Sequence, residues 1–202
     1  MPSMIRLALP EDAPAIAAIY APFCLETPVT FEIAAPSADE MAQRIRKVTD
    51  RLPWLVLEHE GQIGGYVYAG LHHERSAYQW AVDVTAYIAS DYRGKSVGRS
   101  LYTALFDILA QQGYFTACAG ITLPNNASVG LHEAMGFEHV GLYRNVGYKL
   151  GAWHDVIWCT LALQPPRVDP EPPRSVQEVL TTPGWAEAAH KGAALLKIKS
   201  VT

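Results

Sequence analysis

The sequence has 202 residues, of which 50% are hydrophobic and 18% are charged, which is ordinary for a globular protein with one sizeable core. Its formal net charge of −4 excludes a general electrostatic attraction to nucleic acid or to an anionic membrane. No run of about 18 apolar residues predicts a transmembrane helix, and the first residues lack the apolar core of a signal peptide. We therefore expect a cytoplasmic protein that binds neither nucleic acid nor membrane.

The first half of the chain predicts two helices and several strands. Asp12 is the expected N-cap of the first helix, and Ser37 with Glu40 fits a capping box at the start of the second. Glu60-Gly61 between two apolar runs predicts a hairpin turn. The expected elements are a strand at 4–8, a helix at 11–23, a helix at 37–48, a hairpin at 54–70 and a strand at 78–89.

The strand at 78–89 has the clearest pattern, because apolar residues alternate with Asp83, Thr85 and Tyr87. The helical spacing of Val97 and Leu101 with later apolar residues predicts a helix that follows this strand. The expected elements of the second half are a helix at 97–112, a strand at 116–123, a helix at 125–135 and strands near 138–146 and 154–163.

Composition changes after residue 164. Five prolines fall within residues 165–173, which excludes a sheet interior or a regular helix there. We predict one domain over residues 1–164, followed by a proline-rich linker and a short tail over 165–202. The tail is expected to be helical near residues 185–197.

The three cysteines are an odd number, lie far apart and have apolar neighbours. Cys24, Cys118 and Cys159 are therefore expected to be buried free thiols of a reducing compartment. The neighbouring pair His72-His73 has no acidic or thiol partner at ligand spacing, so we predict no metal site.

The segment DYRGKSVGRSL, residues 91–101, places glycines and basic residues directly before a predicted helix. A helix N-terminus offers unpaired N–H groups and the positive end of a dipole, and glycine lets an anion approach the backbone. Arg93, Lys95 and Arg99 add positive charge. A phosphate site and a charged loop that merely caps a helix are both consistent with this pattern. The segment is neither a P-loop nor the dinucleotide motif G-x-G-x-x-G.

This loop resembles the pyrophosphate motif of the GNAT N-acetyltransferases, [QR]-x-x-G-x-[GA], with Arg93 first and Gly98 last. The central glycine of the motif is Ser96 here, and serine does not freely adopt a positive φ. The resemblance implies acetyl-CoA as co-substrate, and both a lowered and an unchanged affinity are consistent with the serine, whereas loss of the site is not expected. The implied pyrophosphate contacts are Arg93, Gly94, Lys95, Ser96, Val97 and Gly98.

Further stretches are similar to the phosphinothricin N-acetyltransferase family, which includes acetyltransferases of methionine sulfoximine and methionine sulfone. They are IYAPFCLETPVTFE, AYQWAVDVTAYI, NNASVGLHEAMGFEHVG and LGAWHDVIWCTLAL, and the resemblance covers about residues 4–163. It implies an α/β (α+β) GNAT fold, with a mixed, mostly antiparallel sheet of about six or seven strands and about four flanking helices. The sheet is expected to splay near Tyr87–Ile88, where acetyl-CoA binds.

Acetyl transfer to an amine needs a base that makes the amine neutral and a proton for the departing thiolate. Asp83 is the predicted base, because the resemblance puts it where the family has a glutamate. Being shorter, it favours a bridging water. A carboxylate that only forms a surface ion pair is the alternative. His132 is the predicted acid or base near the thiolate, and a histidine that only packs between helix and sheet is the alternative.

The remaining predictions for the co-substrate site come from the resemblance. Asn126 and Ser128, at the start of a helix, are assigned to the pantetheine arm, although N-capping alone would also place an asparagine there. The strand backbone at Ala86, Tyr87 and Ile88 is expected to pair with pantetheine.

Ser76, Ala77 and Tyr78 resemble a substrate-contact segment of the family. Arg75 is a candidate partner of a substrate carboxylate because guanidinium binds carboxylate in a bidentate manner, and Phe31, Trp153 and His154 are candidate walls of the pocket. A surface or packing role is the alternative for each of these residues. A homodimer is also expected.

We predict an enzyme that acetylates the α-amino group of a small amino-acid analogue. Within the same fold, the acceptor could instead be a polyamine, an aminoglycoside or a protein N-terminus. A third reading is a non-catalytic acyl-CoA sensor. Asp83 and His132 argue against the sensor, and Ser96 is the feature that favours it.

Overall fold

The fold is built on one seven-stranded sheet in a computed structural model that describes residues 3–198. The strand order is β1-β2-β3-β4-β5-β7-β6, and every neighbouring pair is antiparallel except β4–β5. The predicted mixed, mostly antiparallel sheet is therefore confirmed. The strands are β1 Met4–Leu7, β2 Trp54–His59, β3 Gln62–Leu71, β4 Ala81–Ile88, β5 Thr116–Thr122, β6 Glu138–Lys149 and β7 Ala152–Ala162.

Four helices flank the sheet within residues 3–164, as predicted: α1 Ala13–Glu26, α2 Ala38–Thr49, α3 Val97–Gln112 and α4 Asn126–Ala134. The tail adds α5 Val176–Leu180 and α6 Pro183–Ala193, where the sequence predicted a single helical stretch. A capping box of Ser175 and Glu178 starts α5. In the part of the chain that the structure describes, no helix is long and apolar enough to cross a membrane.

The predicted caps have different outcomes. Ser37 accepts from the Glu40 N–H, and Glu40 reaches back to the Ser37 N–H, so the capping box of α2 is confirmed. Asp12 is the N-cap residue of α1, but its side chain makes no capping bond to that helix. Its carboxylate instead accepts from the Leu9 N–H and forms an ion pair with Arg6 at 2.7 Å.

The two faces of the sheet carry separate apolar cores. One core lies under α3, where Leu101 and Leu105 pack against sheet residues such as Val67 and Val82. The other lies under α1 and α2, where Ile16 and Ile45 are fully buried together with aromatic residues of the sheet. The amphipathic spacing of each helix therefore determines which face of the sheet it covers.

The tail packs on the face that carries α3. Val176 and Val179 of α5 belong to the core under α3. Ser100 of α3 donates its hydroxyl to the Gly192 carbonyl of α6 at 2.8 Å. The described part of the tail therefore contributes to the main core, while the division into residues 1–164 and 165–202 remains a prediction, with 199–202 outside the described residues.

The sheet splits between its two parallel strands. β4 pairs with β5 only at three positions, from Ala81↔Thr116 to Asp83↔Cys118. Residues 84–88 continue to pair with β3 on their other side. The backbone of 84–88 therefore has a free edge toward β5, and this gap contains the Tyr87–Ile88 position predicted for the splay.

Candidate active site

An open cavity of about 660 Å³ lies where β4 and β5 separate. Five segments line it: the end of α1 with the residues that follow it, residues 84–88 of β4, the loop before α3 with the first turns of that helix, residues 119–122 of β5, and the start of α4. Nine of the eleven residues predicted to bind acetyl-CoA are in its lining, and Lys95 and Asn126 are not. The cavity thus brings together the two motifs that the sequence placed about thirty residues apart.

The loop before α3 presents a row of free backbone donors. The N–H groups of residues 94–99 donate to no backbone or side-chain acceptor within residues 3–198. They surround the N-terminus of α3, which begins at Val97. A polyanion is the ligand that such a group of donors at the positive end of a helix dipole can bind.

Ser96 has a left-handed backbone conformation, which glycine adopts more readily than serine. Its φ of 63° and ψ of 15° are left-handed, and the neighbouring Gly94 also has a positive φ of 73°. The serine therefore carries conformational strain that a glycine at this position would not have. Ser96 keeps its N–H group and lines the cavity.

The basic side chains of the loop lie over aromatic rings. The Arg93 guanidinium is 5.4 Å from the centre of the Phe23 ring, and the Lys95 ammonium is 5.3 Å from that of Tyr92. These cation–π contacts hold both cations beside the free N–H groups. Arg99 is exposed and lines the cavity as a further positive charge.

Gly98 allows α3 and α4 to approach each other. A Cβ at this position would lie 2.9 Å from the Leu131 side chain of α4, which lines the cavity. The start of α4 differs by one residue from the prediction. Asn125 is the N-cap, and its side chain accepts from the Ser128 N–H at 3.2 Å, whereas Asn126 is the exposed first residue of the helix.

Asp83 lies at the closed end of the split, directly before the cavity-lining residues of β4. Its Oδ1 is 2.7 Å from His72 Nδ1. Partial burial raises the pKa of the Asp83 carboxyl, and the hydrogen bond from His72 opposes that rise. The carboxylate therefore belongs to a side-chain pair that the sequence did not predict.

His132 lies in the cavity wall and is 4% exposed. Its Nδ1 is 2.8 Å from the Ser128 carbonyl oxygen, which can only accept, so Nδ1 carries the proton. Its Nε2 then accepts from the buried Tyr102 hydroxyl at 3.2 Å. Burial lowers the pKa of His132, so the imidazole is neutral at pH 7.

The predicted substrate residues do not form one cluster, and none of them lines the cavity. Residues 75–78 are exposed, with Ser76–Tyr78 in a 3-10 turn before β4, and only Tyr78 contacts the Asp83–His72 pair, through the His72 ring. Phe31 lies against Gly147 of β6, while Trp153 packs its exposed ring on Tyr148 and His154 bonds the Lys149 carbonyl.

Several cavity residues were missed by the sequence analysis: Phe23, Tyr92 and Tyr102. Tyr102 has the same helical spacing as core residues, so its pattern gave no separate signal. Phe23 lies far from the loop in sequence and reaches it only through packing of α1, where its ring contacts Tyr87. These are contacts between distant segments, which spacing along one element does not report.

Comparison with known proteins agrees with this geometry. Residues 5–158 match the family model described as an acetyltransferase (GNAT) domain. The chain belongs to the GNAT acetyltransferase family. As a GNAT enzyme it is an acetyl-CoA-dependent N-acetyltransferase, and its cavity fits the co-substrate because free N–H groups meet an unpaired strand edge there.

The relatives of this GNAT enzyme include named N-acetyltransferases. It is 37% identical to a phosphinothricin N-acetyltransferase from Streptomyces viridochromogenes, over 88% of this chain and 95% of the relative. It is 33% identical to an L-methionine sulfoximine/L-methionine sulfone acetyltransferase from Pseudomonas aeruginosa, over 84% of this chain and 100% of the relative.

A solved structure shares the fold of this GNAT enzyme. It is a GNAT superfamily phosphinothricin acetyltransferase from Sinorhizobium meliloti in complex with acetyl-CoA. The match has a TM-score of 0.79 and 31% identity, and it covers 87% of this chain and 99% of that one.

Proposed function

We propose that this GNAT enzyme acetylates the α-amino group of a small amino-acid analogue of the phosphinothricin, methionine sulfoximine or methionine sulfone type. The names of relatives at 37% and 33% identity support this class of acceptor. The observation that carries the proposal is the split between β4 and β5, which ends at the half-buried carboxylate of Asp83. An acceptor amine at that end would meet a base beside the acetyl group.

In this proposal the loop and the free strand edge hold acetyl-CoA. The N–H groups of residues 94–99 bind the pyrophosphate, and the backbone of 84–88 pairs with the extended pantetheine arm. Four residues span about 13 Å along a strand, so an arm that runs along 84–88 leads from the loop to Asp83. Lys95, Asn126 and Ser128 contribute from the rim or the start of α4.

Asp83 lies at the end of the split where the acceptor amine has to lose a proton. An ammonium group cannot attack a thioester until it has lost a proton, and the Asp83 carboxyl, whose pKa is raised by partial burial, lies at the end of the split where that proton is removed. The attack joins nitrogen to the carbonyl carbon and breaks the bond to sulfur.

His132 is assigned to the departing thiolate. Its resting form is neutral and holds its proton on Nδ1, so it must take up a proton at Nε2 before it can donate one. The Tyr102 hydroxyl, which bonds Nε2, lies in the same wall and connects His132 to the cavity. A coenzyme A thiol leaves fairly readily, so His132→Ala should lower kcat less than Asp83→Asn does.

The acceptor's own contacts are proposed at the outer side of the Asp83–His72 pair. Arg75 is the proposed partner of a substrate carboxylate, because guanidinium binds carboxylate in a bidentate manner. Ser76, Ala77 and Tyr78 accompany it on the turn before β4. Phe31 and Trp153 lie farther away, beside β6 and the β6–β7 hairpin, so they serve as walls only if the acceptor reaches that surface.

We also propose that the enzyme is a cytoplasmic homodimer. The three buried thiols are unpaired, which suits a reducing compartment. β6 is an edge strand of 12 residues with exposed apolar side chains, and a second copy of the chain would cover such an edge.

The test of the proposed function measures thiol release from acetyl-CoA. The panel contains phosphinothricin, methionine sulfoximine, methionine sulfone, ordinary amino acids, a polyamine and an aminoglycoside. Rapid release with the three analogues, and an acetylated α-amino group by mass spectrometry, is the expected result. Acetyl-CoA binding without thiol release for any amine would contradict the proposal and favour a sensor.

Replacement of the base gives a second test. Asp83→Asn should lower kcat/KM for the acceptor by about 10²–10⁴-fold and leave the KM for acetyl-CoA nearly unchanged. Raising the pH should restore part of the rate, because solution then supplies neutral amine. Asp107→Asn, which removes an exposed carboxylate of α3, is the control and should leave the kinetics unchanged.

A further inference from the structure

The hydrogen bond between His72 and Asp83 fixes the state of both side chains. The carboxylate accepts, so His72 Nδ1 carries the proton and the lone pair of the neutral ring is on Nε2. Within residues 3–198, Nε2 has no hydrogen-bond partner. The His72 side chain is 29% exposed, so an incoming ligand can reach it.

We propose that His72 Nε2, and not the Asp83 carboxylate itself, takes the proton from the ammonium group of the acceptor, while Asp83 orients the ring. This inference rests on the proposed function and adds the group that performs its first proton transfer. His72 is then a catalytic residue that touches the substrate, and Asp83 is a positioning residue that acts through it.

The register of the sheet explains why the two side chains meet. Gly70 of β3 lies opposite Asp83 of β4, and His72 lies two residues after Gly70, directly after the last residue of β3. Residues two apart on a strand share a face, so His72 and Asp83 are diagonal neighbours on one face of the sheet. Gly70 has no side chain and leaves the space between them open.

Among the described residues, Asp83 is the one acidic side chain within ion-pair distance of His72. Tyr78 lies 5.9 Å from the ring and Trp158 lies 6.2 Å from it, centre to centre. Cys118 of β5 belongs to the same cluster, with its sulfur within 4.8 Å of the other polar atoms. Burial raises the pKa of the Cys118 thiol to about 11, so the thiol is neutral near pH 7.

The acceptor nitrogen loses two protons during the reaction. An acceptor R–NH₃⁺ gives one proton to His72 Nε2, and the lone pair of R–NH₂ attacks the carbonyl carbon of the acetyl thioester. The carbon–nitrogen bond forms, the carbon–sulfur bond breaks, and a second proton passes from nitrogen to the thiolate. The products are R–NH–acetyl and coenzyme A thiol, and His72 then releases its proton to water. The acidic neighbour stabilises the imidazolium that exists between these events.

The decisive variant is His72→Asn. The amide nitrogen of asparagine occupies nearly the position of Nδ1 and can still donate to Asp83, but the variant has no group in place of Nε2. We expect kcat/KM for the acceptor at pH 7 to fall by about 10²-fold or more, with the KM for acetyl-CoA unchanged. His190→Asn, at an exposed histidine of α6 outside the cavity lining, is the matched control and should behave like the parent enzyme.

Two further kinetic readouts separate this role from a structural one. The double variant His72→Asn/Asp83→Asn should be no slower than His72→Asn, because the two residues act as one unit. In His72→Asn, kcat/KM should rise about tenfold per pH unit below the pKa of the amine, since only neutral amine from solution reacts. A His72→Asn enzyme within about threefold of the parent, beside a much slower Asp83→Asn enzyme, would overturn the inference.

A readout without turnover is the tautomer of His72, measured by nitrogen NMR of the imidazole rings in the free enzyme. We expect the Nδ1–H form in the parent and a mixture of forms in Asp83→Asn. A proton on Nε2 in the neutral parent ring would overturn the inference. If no amine of the panel is acetylated, the proposed function fails, whereas acetylation that is insensitive to His72→Asn removes this inference alone.

The same three ligand types, an imidazole, a carboxylate and a thiol, also occur in zinc sites. The enzyme should keep full activity after dialysis against a chelator, because His72 acts as a base without a metal. Loss of activity that zinc restores would overturn the inference, since Nε2 would then be a metal ligand.

Discussion

Ser96 stands where the resembled motif has glycine, and its backbone has a positive φ. Its left-handed φ of 63° is a conformation that glycine adopts without a steric penalty. Ser96→Gly should raise the free energy of unfolding by roughly 0.5–1 kcal/mol, after the greater freedom of glycine in the unfolded chain is subtracted. The KM for acetyl-CoA should stay the same or fall, because the N–H group remains.

Chemical denaturation and steady-state kinetics check this expectation. Ser90→Gly is the matched control, since Ser90 lies in a 3-10 turn just before the loop and is not among the residues with positive φ. That change should destabilise the protein. Equal destabilisation by both changes would contradict the strain that we assign to Ser96.

His132 couples stability to pH through its burial. Its folded pKa is lowered, so the unfolded chain takes up a proton near pH 6.5 and the folded protein only at lower pH. The contribution of neutral His132 to the free energy of unfolding is therefore fully present above about pH 6.5. It is lost as the pH falls toward the pKa that His132 has in the folded protein. Over that window the parent should lose up to about 1.4 kcal/mol per pH unit relative to His132→Asn.

Unfolding free energies between pH 5 and 8 test this point, with His190→Asn at an exposed position of α6 as the control. Parallel pH curves for the parent and His132→Asn would show that the imidazole is not held neutral by burial.

At the scale of elements, α6 approaches α3 closely at Gly192. A Cβ there would lie 2.6 Å from the Ser100 carbonyl oxygen, and a backbone atom cannot rotate away. Gly192→Val should therefore reduce the free energy of unfolding by roughly 2–3 kcal/mol. Ala186→Val, on the exposed side of the same helix, should cost less than 1 kcal/mol. Equal thermal shifts for the two variants would show that α6 does not pack on the core in solution.

Local patterns predicted most elements but not the contacts between them. The alternation around Asp83 and the glycines before α3 depend on neighbouring residues, so the sequence indicated both the strand and the loop that presents free backbone N–H groups. α5 is only five residues long, and the sequence did not predict it as a separate helix. The pairing of His72 with Asp83 depends on the register of β3 against β4, which no spacing along one strand reveals.

The difference between local patterns and contacts between elements also explains why the predicted acceptor residues do not form one cluster. The backbone donors of residues 94–98 follow from one loop, and they were predicted together. Phe31 and Trp153 were predicted to share a pocket with Tyr78, yet they lie beside β6 and the β6–β7 hairpin, away from the cavity. Their proposed role depends on an acceptor that reaches across the surface, and spacing in the sequence carries no information about that distance.

At the scale of the whole molecule, the proposed dimer depends on the exposed face of β6. Leu142 on this strand is 41% exposed, so Leu142→Glu should leave the monomer folded but separate the dimer, because it places a charge in the interface. Light scattering at micromolar concentration measures the outcome. Val168→Glu, in the exposed tail segment, is the control and should remain dimeric. A monomeric parent protein would contradict the proposal.

The short pairing of β4 with β5, which covers three residues, also affects how fast the backbone amides of β4 exchange their hydrogens. Backbone amides of 84–88 that face the gap have no partner strand, whereas β7 is paired on both sides. Hydrogen exchange at those β4 amides should be fast in the free enzyme and slow when acetyl-CoA occupies the gap, while exchange in β7 should hardly change. The enzyme would then complete its sheet once in every catalytic cycle and open it again when coenzyme A leaves.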